Sequence, residues 1–264
     1  MDMITSFIGF RDTHVSISTT DSGISRYVHE TFEHMMAPET RRAVASIRVD
    51  AIEGGYSLID ETREDYPGTP FEHFVPLIKD RVRLRFMRAH SNLLWMHAAA
   101  VAKNGRALIL AAPSGQGKSS LSTLLTDVGW QLLSDDIAPV QLENDLVLPY
   151  PQRPQRRLNS VYVPVDDVGL LEREGVRIPL ERVETRPCEI AGVVIVKFEY
   201  SSDAAVSRLQ AGSGALELLR NLTNFVDHKS AAVTRMAELA RTVPIYSLTY
   251  GSRQNAVAIL NIII

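Results

Sequence analysis

Residues 111–120, AAPSGQGKSS, have the composition of a loop that could bind phosphate. Gly115 and Gly117 would let successive backbone N–H groups turn toward an anion without the steric cost that a Cβ atom imposes. In such a loop Lys118 would bridge the outer phosphates of a nucleotide, and the Ser119 hydroxyl would ligate Mg²⁺. The predicted nucleotide-binding residues are Ser114, Gly115, Gln116, Gly117, Lys118, Ser119 and Ser120.

The sequence on either side of this loop is the context that a phosphate loop requires. RALILAA predicts a strand before it, and KSSLSTLLTDV predicts a helix after it, whose positive N-terminal end would face the phosphates. Ala112 stands where such loops usually open with a glycine. That position mainly shapes the turn, so the alanine makes the motif less specific but removes neither the N–H donors nor the lysine.

Two adjacent acids, Asp135 and Asp136, end the apolar segment WQLLSDD. In a phosphate-loop protein, a carboxylate at such a place can hold Mg²⁺ directly or through water. Neighbouring side chains of a strand point in opposite directions, so two acids suggest two roles. One would bind the metal, and the other would accept a proton from an attacking hydroxyl. The alternative is that these aspartates only cap a turn.

His97 lies in WMHAAAV, one strand before the strand that leads into the loop. Asn104-Gly105 between the two strands predicts a tight hairpin turn. The hairpin would allow His97 to reach the same end of the sheet as the loop. The alternative is an ordinary histidine of the core.

Arg153 and Arg156 belong to the proline-bearing segment PQRPQRR. Their guanidinium groups suit a phosphate or an acidic peptide, which makes them candidate substrate-binding residues. The alternative is a solvated surface loop. No histidine has a metal-ligand spacing to another histidine, to the cysteine or to paired acids, so a zinc site is not expected.

The pattern along the chain predicts an α/β fold with two domains. Residues 1–66 are expected to form a small N-terminal α+β domain. Residues 67–264 are expected to form a catalytic domain with helices packed on a mixed sheet. The turn-rich segment EDYPGTP is the expected boundary. A long amphipathic helix should follow it as far as about His90, with Thr69 as its N-cap.

Composition excludes several classes of protein. The 28 basic and 31 acidic residues nearly balance, so neither a nucleic acid nor an anionic membrane surface is an expected partner. Cys188 is the only cysteine, which favours a reducing cytoplasm. The start, MDMITSFIGF, has no signal-peptide pattern, and the apolar end, AVAILNIII, is too short to span a bilayer.

Taken in order, WMHAAAV, the Asn-Gly hairpin, APSGQGKSS and LLSDD resemble the catalytic domain of HPr kinase/phosphorylase and its related kinases, over about residues 90–260. The resemblance is nearest to the HPr-kinase-related proteins of peptide-modification clusters, some of which phosphorylate a serine of a lasso precursor peptide. It implies the mixed-sheet phosphate-loop fold of phosphoenolpyruvate carboxykinase. It also implies that Asp135 is the catalytic base, that His97 supports it, and that Asp136 contributes to the metal site.

The segment CEIAGVV departs from the family signature, because Ala191 stands where an arginine belongs. This argues against a phosphorylase reaction and against HPr as the substrate. The expected function is therefore ATP- and Mg²⁺-dependent phosphorylation of a serine in a peptide or small protein, which the N-terminal domain would help to recognise. The rivals are a kinase of a small-molecule hydroxyl, a module that hydrolyses or senses ATP, and a peptide-binding subunit. Homo-oligomerisation is left open.

Overall fold

The structure is a computed structural model that describes residues 2–61, 63–157 and 173–263, and only the backbone of residues 156, 157, 173 and 174. The chain divides into two compact units, Met1–Ser91 and Asn92–Ile264. Each unit combines helices with a mixed sheet, so the predicted α/β class is confirmed. No helix of the described residues is both long enough and apolar enough to cross a bilayer.

The N-terminal unit is a five-stranded sheet in the order β1-β2-β3-β4-β5. The β2–β3 pair is parallel and the other pairs are antiparallel. Two helices each bury an apolar stripe, which in α2 recurs every four residues at Phe74, Ile78, Val82 and Phe86. The elements are β1 Ile4–Phe10, β2 Thr13–Thr19, α1 Ser22–Thr31, a 3-10 turn Glu33–Met35, β3 Arg42–Ile52, β4 Gly55–Asp60, β5 Arg63–Thr69 and α2 Phe71–Ala89.

The segment between the two expected domains is more ordered than its turn-rich sequence indicates. Residues 63–69 form β5, an edge strand, and the division between the units follows α2 at Ser91 instead of preceding it. Arg81 and Arg85 of α2 form ion pairs with buried Asp60 at the end of β4, which fixes the helix to this sheet. The expected N-cap is wrong: Pro70 occupies that position, and the Thr69 hydroxyl donates instead to the carbonyl of Tyr66.

The C-terminal unit contains a nine-stranded mixed sheet with the path β6-β10-β11-β14-β8-β7-β9, in which β14 also pairs with β16 and β16 with β15. The pairs β14–β8 and β14–β16 are parallel. Its strands are β6 Leu93–Met96, β7 Ala98–Lys103, β8 Arg106–Ala111, β9 Gln131–Ser134, β10 Ala138–Gln141, β11 Leu146–Val147, β14 Cys188–Phe198, β15 Ala205–Arg208 and β16 Ile245–Tyr250. A separate ladder pairs β12 Gln155–Arg157 with β13 Arg173–Gly175. The helices are α3 Lys118–Asp127, α4 Ala211–Arg220, α5 Phe225–His228, α6 Ser230–Thr242 and α7 Arg253–Leu260, with a 3-10 turn at Leu180–Arg182.

Alternation along the strands produces two buried layers, one on each face of this sheet. On β7, Ala98 and Ala100 belong to the cluster that includes Leu218 of α4 and Met236 of α6. Ala99 belongs to the opposite cluster, which contains residues of α3 and α7. Side chains of a strand point alternately to its two faces, so a strand with helices on both faces reads as a continuous apolar run. This explains the unbroken apolar sequence of β7 and β8.

Two pairs of consecutive strands bend at the same place. The chain passes from β6 to β7 at His97, and from β9 to β10 at residues 135–137. Ala138 pairs with Met96 on one side of the bend, and Ser134 pairs with Ala100 on the other, so the register is unchanged across it. The bend therefore brings residues 97–99 next to residues 135–137, with His97 beside Asp136.

Candidate functional site

The predicted phosphate loop connects β8 directly to α3, as its sequence required. Gly115 and Gly117 have φ angles of 88° and 87°, in the left-handed region that favours glycine. At Gly117 the space is also closed, because a Cβ atom would lie 2.1 Å from the Tyr250 hydroxyl oxygen. Ser114 is exposed in the loop, and Ser120 lies in the first turn of α3.

Lys118 is buried and its amine points back into the loop. Nζ donates to the carbonyl oxygens of Ala112 at 2.8 Å and Pro113 at 3.2 Å, and lies 3.0 Å from Nε2 of His97. Burial lowers the pKa of the Lys118 amine to about 8, although Asp136 and Asp135 act in the opposite direction. Ala112, which stands where such loops usually open with a glycine, therefore helps to position the Lys118 amine through its carbonyl oxygen.

The outer side of the loop is held by two contacts that the sequence did not indicate. The Tyr250 hydroxyl donates to the carbonyl of Gln116 at 3.0 Å, and Oε1 of Gln116 accepts from the backbone N–H of Phe198 at 2.8 Å. Burial raises the pKa of Tyr250 to about 12, so its phenol stays protonated and remains a donor. The Gln116 side chain is thus used to attach the loop to β14.

Asp135 is buried at the end of β9 and accepts hydrogen bonds from two serines of α3. The Ser119 hydroxyl donates to its Oδ2 at 3.0 Å, and the Ser122 hydroxyl donates to its Oδ1 at 3.3 Å. Ser122 was not among the predicted residues, although it lies one helical turn after Ser119 and so on the same face. These bonds connect the first acid of the pair to the predicted Mg²⁺ ligand.

Asp136 faces His97 instead. Its Oδ1 lies 3.6 Å from Nδ1 of His97, and both side chains are about 30% exposed, at 31% and 28%. A charged Lys118 can only donate, so His97 Nε2 is its acceptor and the ring proton belongs on Nδ1, toward Asp136. Asp136 has a φ of 70°, which turns its side chain away from that of Asp135.

The backbone of His97 is fixed by the segment 221–224 that follows α4. The His97 N–H donates to the carbonyl of Asn221 at 2.7 Å, and Leu222 forms a β-bridge with Met96. Asn224 extends this contact through its side chain, which accepts from the N–H of Trp95 and donates to the carbonyl of Leu93. The sequence did not indicate this support.

A cavity of about 400 Å³ opens beside His97. The residues that line it come from the bend, the phosphate loop and the end of α4. They are His97, Pro113, Glu217, Arg220, Asn221, Leu222 and Thr223.

The two predicted substrate arginines belong to the β12 region. The Arg153 side chain packs over Gly175, where an added Cβ atom would lie 2.8 Å from its Cδ. The backbone of Arg156 pairs with Glu174, and its side chain lies outside the described residues. Their binding of a substrate stays a prediction.

The oxygen ligands at the loop fit Mg²⁺. The Ser119 hydroxyl and the Asp135 carboxylate, which are hydrogen-bonded to each other, are the hard donors that this ion prefers. Among the described residues, no group of three His, Cys, Asp or Glu side chains is placed to hold a metal by itself. Proteins commonly hold Mg²⁺ with one or two carboxylates, and substrate phosphates and water supply its other ligands.

Comparison with known proteins identifies no family. No family model and no curated protein matches the chain. Among solved structures, the chain is similar to the Hpr(Ser) kinase/phosphatase from Coxiella burnetii over 64% of its own length and 93% of that chain, with 13% identity and a TM-score of 0.33. A similarity at this level carries no argument about the activity, so any role for these residues depends on the geometry of the loop and the bend.

Proposed function

We propose that this chain is a kinase that uses ATP and Mg²⁺ to phosphorylate a hydroxyl, the serine of a peptide or small protein. One observation carries the proposal: Lys118, the Ser119–Asp135 pair and the His97–Asp136 pair all meet at the N-terminus of α3. These are the groups needed to bind phosphates and to accept a proton from a hydroxyl. A protein that only senses a nucleotide does not need the His97–Asp136 pair.

The loop would bind the outer phosphates through its backbone N–H groups and the positive end of α3. Lys118 now donates to the carbonyls of Ala112 and Pro113, and phosphate oxygens would replace these acceptors. Ser119 and Asp135 would hold Mg²⁺, which when bound neutralises negative charge on the phosphates. The chain itself would contribute to catalysis mainly by holding the reactants in position and by placing charges around the phosphates.

Transfer breaks the bond between the γ-phosphorus and its bridging oxygen and forms a bond from that phosphorus to the acceptor oxygen. ADP leaves with the bridging oxygen, and the acceptor hydroxyl loses its proton. The family resemblance implies that Asp135 accepts this proton, but Asp135 is buried and bonded to Ser119. The contacts favour the opposite division, in which Asp136 accepts the proton beside His97, and Asp135 stays on the metal side.

The experiment that tests the proposal measures transfer of labelled phosphate from ATP by the Lys118→Ala protein. Loss of the amine should lower turnover by about 10²–10³, the usual cost of one lost electrostatic contact to the transition state. Lys103→Ala is the matched control, because Lys103 lies at the hairpin end of β7 and β8, away from the loop. Equal turnover in Lys118→Ala and the wild type, with both proteins folded, would contradict the proposal.

A further inference from the structure

We infer that the cavity beside His97 is the acceptor site, and that it receives a peptide whose serine or threonine is flanked by apolar side chains. This inference rests on the proposed phosphoryl transfer. The cavity and the phosphate loop share two residues, His97 and Pro113. The Pro113 carbonyl accepts from Lys118, and His97 lies beside both Lys118 and Asp136. A hydroxyl in the cavity would therefore lie beside His97, whose Nδ1 is 3.6 Å from the proposed proton acceptor, Asp136.

The size of the cavity suits a short segment of chain. Its volume of about 400 Å³ is within the usual range for sites that enclose small ligands. It can enclose the reacting residue and part of a neighbour, whereas the remainder of a longer acceptor must lie on the surface outside. The chemistry of the rim therefore decides what kind of acceptor fits.

The rim presents no excess of either charge. Arg220 and Glu217, one turn apart on α4, form an ion pair of 2.5 Å, so each neutralises the other. Pro113 and Leu222 supply apolar wall. An acidic or basic peptide would have to share Arg220 or Glu217 with its present partner, whereas an apolar flank would not.

Large apolar side chains are exposed directly beside the cavity-lining residues in the chain. Leu216 precedes Glu217 and is 50% exposed, and Phe225 and Val226, shortly after Thr223, are 38% and 74% exposed. Exposed apolar residues so close in the chain to the cavity-lining residues favour a surface that binds another chain. A small metabolite inside the cavity would leave them in water, and an extended peptide would cover them. This favours the peptide.

The wall is fixed before any ligand binds. The Thr223 N–H and hydroxyl both donate to the carbonyl of Trp95, and the buried Asn224 side chain bonds the backbone of Leu93 and Trp95. A wall attached in this way loses little conformational freedom on binding, which favours affinity. The same bonds also hold the wall of the cavity in place next to His97.

The test uses the full chain, labelled ATP with Mg²⁺, and pools of short synthetic peptides that have one central serine and varied flanking residues. Pools with apolar flanks should accept the most label. Val226→Glu should raise the KM of the best pool by about tenfold, the scale of one lost apolar contact at an interface, and leave the KM of ATP unchanged. Val128→Glu is the matched control, since Val128 is 45% exposed at the end of α3 and, unlike Val226, has no cavity-lining residue close to it in the chain.

Three results would overturn the inference: preference for acidic or basic flanks, equal labelling of all pools, or labelling of free serine or simple alcohols in place of peptides. An unchanged peptide KM in Val226→Glu would also overturn it. Binding of ATP, measured without any acceptor in the wild type and in Lys118→Ala, keeps the two proposals apart. If ATP binds through Lys118 and no peptide pool is labelled, the acceptor site alone is wrong. If ATP does not bind, the proposed function fails.

Discussion

The Ser119 hydroxyl donates a hydrogen bond of 3.0 Å to Oδ2 of Asp135 and so connects the first turn of α3 to the end of β9. The side chain of the neighbouring acid, Asp136, lies beside His97 instead, because its positive φ turns it in that direction. Two adjacent carboxylates therefore occupy two environments, one buried and one partly exposed. This difference makes their roles separable by experiment.

Titration of activity against Mg²⁺ should distinguish the two aspartates. Asp135→Asn removes the charge beside Ser119 and should raise the Mg²⁺ concentration for half-maximal activity by about 10–100-fold, as weakened metal sites do. Asp136→Asn should lower transfer by about 10²–10⁴, the usual contribution of a general base, and leave the Mg²⁺ requirement unchanged. The reverse pattern would support the division that the family resemblance implies, with Asp135 as the base and Asp136 at the metal.

The affinity for ATP should depend on pH through Lys118. Burial lowers the pKa of its amine to about 8, so the free protein loses this proton as pH rises through 8, well below the 10.5 of an ordinary lysine. Phosphates bind the charged amine, and the dissociation constant should therefore rise by about tenfold per pH unit above 8. Calorimetry from pH 7 to 10 measures this. Constant affinity throughout this range would show that the amine keeps its proton.

The sequence was sufficient to predict the local backbone around residues 111–120. A strand, a loop and a helix follow one another there, as the positions of Gly115, Gly117 and Lys118 indicate, whereas phosphate binding by the loop stays a prediction. The meeting of His97 with Asp136 required one further step, the hairpin of β7 and β8. The structure shows why the two residues meet. The chain turns from β6 to β7 and from β9 to β10 at neighbouring positions, between the pairs Ala138–Met96 and Ser134–Ala100.

The supporting contacts could not be predicted from the sequence, because they join distant parts of the chain. Tyr250 reaches the carbonyl of Gln116 across 134 residues, and Asn224 reaches Trp95 across 129. Neither belongs to a local pattern. Similarly, Thr69 has the residue type of an N-cap, but the pairing of β5 with β4 directs its hydroxyl to Tyr66. At Thr69, strand pairing prevailed over the local preference for an N-cap.

Stability of the N-terminal unit should depend on Asp60. This carboxylate is buried and accepts from the guanidinium groups of Arg81 and Arg85. Burial alone would raise its pKa, but the hydrogen bonds and charges of Arg85 and Arg81 outweigh it and lower the pKa below 3.8. Its contribution is therefore present above pH 4 and lost as pH falls through the lowered value.

Asp60→Asn should reduce the free energy of unfolding at pH 7 by about 3 kcal/mol, because it removes the buried carboxylate that Arg81 and Arg85 share. The two arginines then keep only their more exposed partners, Asp65 and Glu61. The same variant should show a weaker loss of stability on acidification than the wild type. Urea unfolding at pH 7 and pH 3 measures both. Asp50→Asn is the control: its pair with Arg48 is solvent-exposed, and its loss should cost less than about 1 kcal/mol. Equal effects of the two substitutions would contradict a special role for Asp60.

A double-mutant cycle should show that Tyr250 sets the shape of the phosphate loop from behind Gly117. Gly117→Ala meets two obstacles: a left-handed backbone, which costs about 1–2 kcal/mol in an L-residue, and a Cβ atom 2.1 Å from the Tyr250 hydroxyl oxygen. Tyr250→Phe alone removes one hydrogen bond to Gln116 and should weaken ATP binding by about 1 kcal/mol. In the double variant the nearest remaining ring atom lies 3.5 Å from the new Cβ, an ordinary contact distance.

The double variant should therefore bind ATP more tightly than Gly117→Ala, although it lacks one more native group, while the backbone cost keeps it weaker than the wild type. Calorimetric dissociation constants for the four proteins measure the coupling. Gly105→Ala gives the backbone cost alone, since its φ is 75° and no atom lies within 4 Å of the added Cβ; it should lower stability without changing ATP affinity. Additive losses in the cycle would mean that the loop moves away from Tyr250, and that the phenol does not determine its shape.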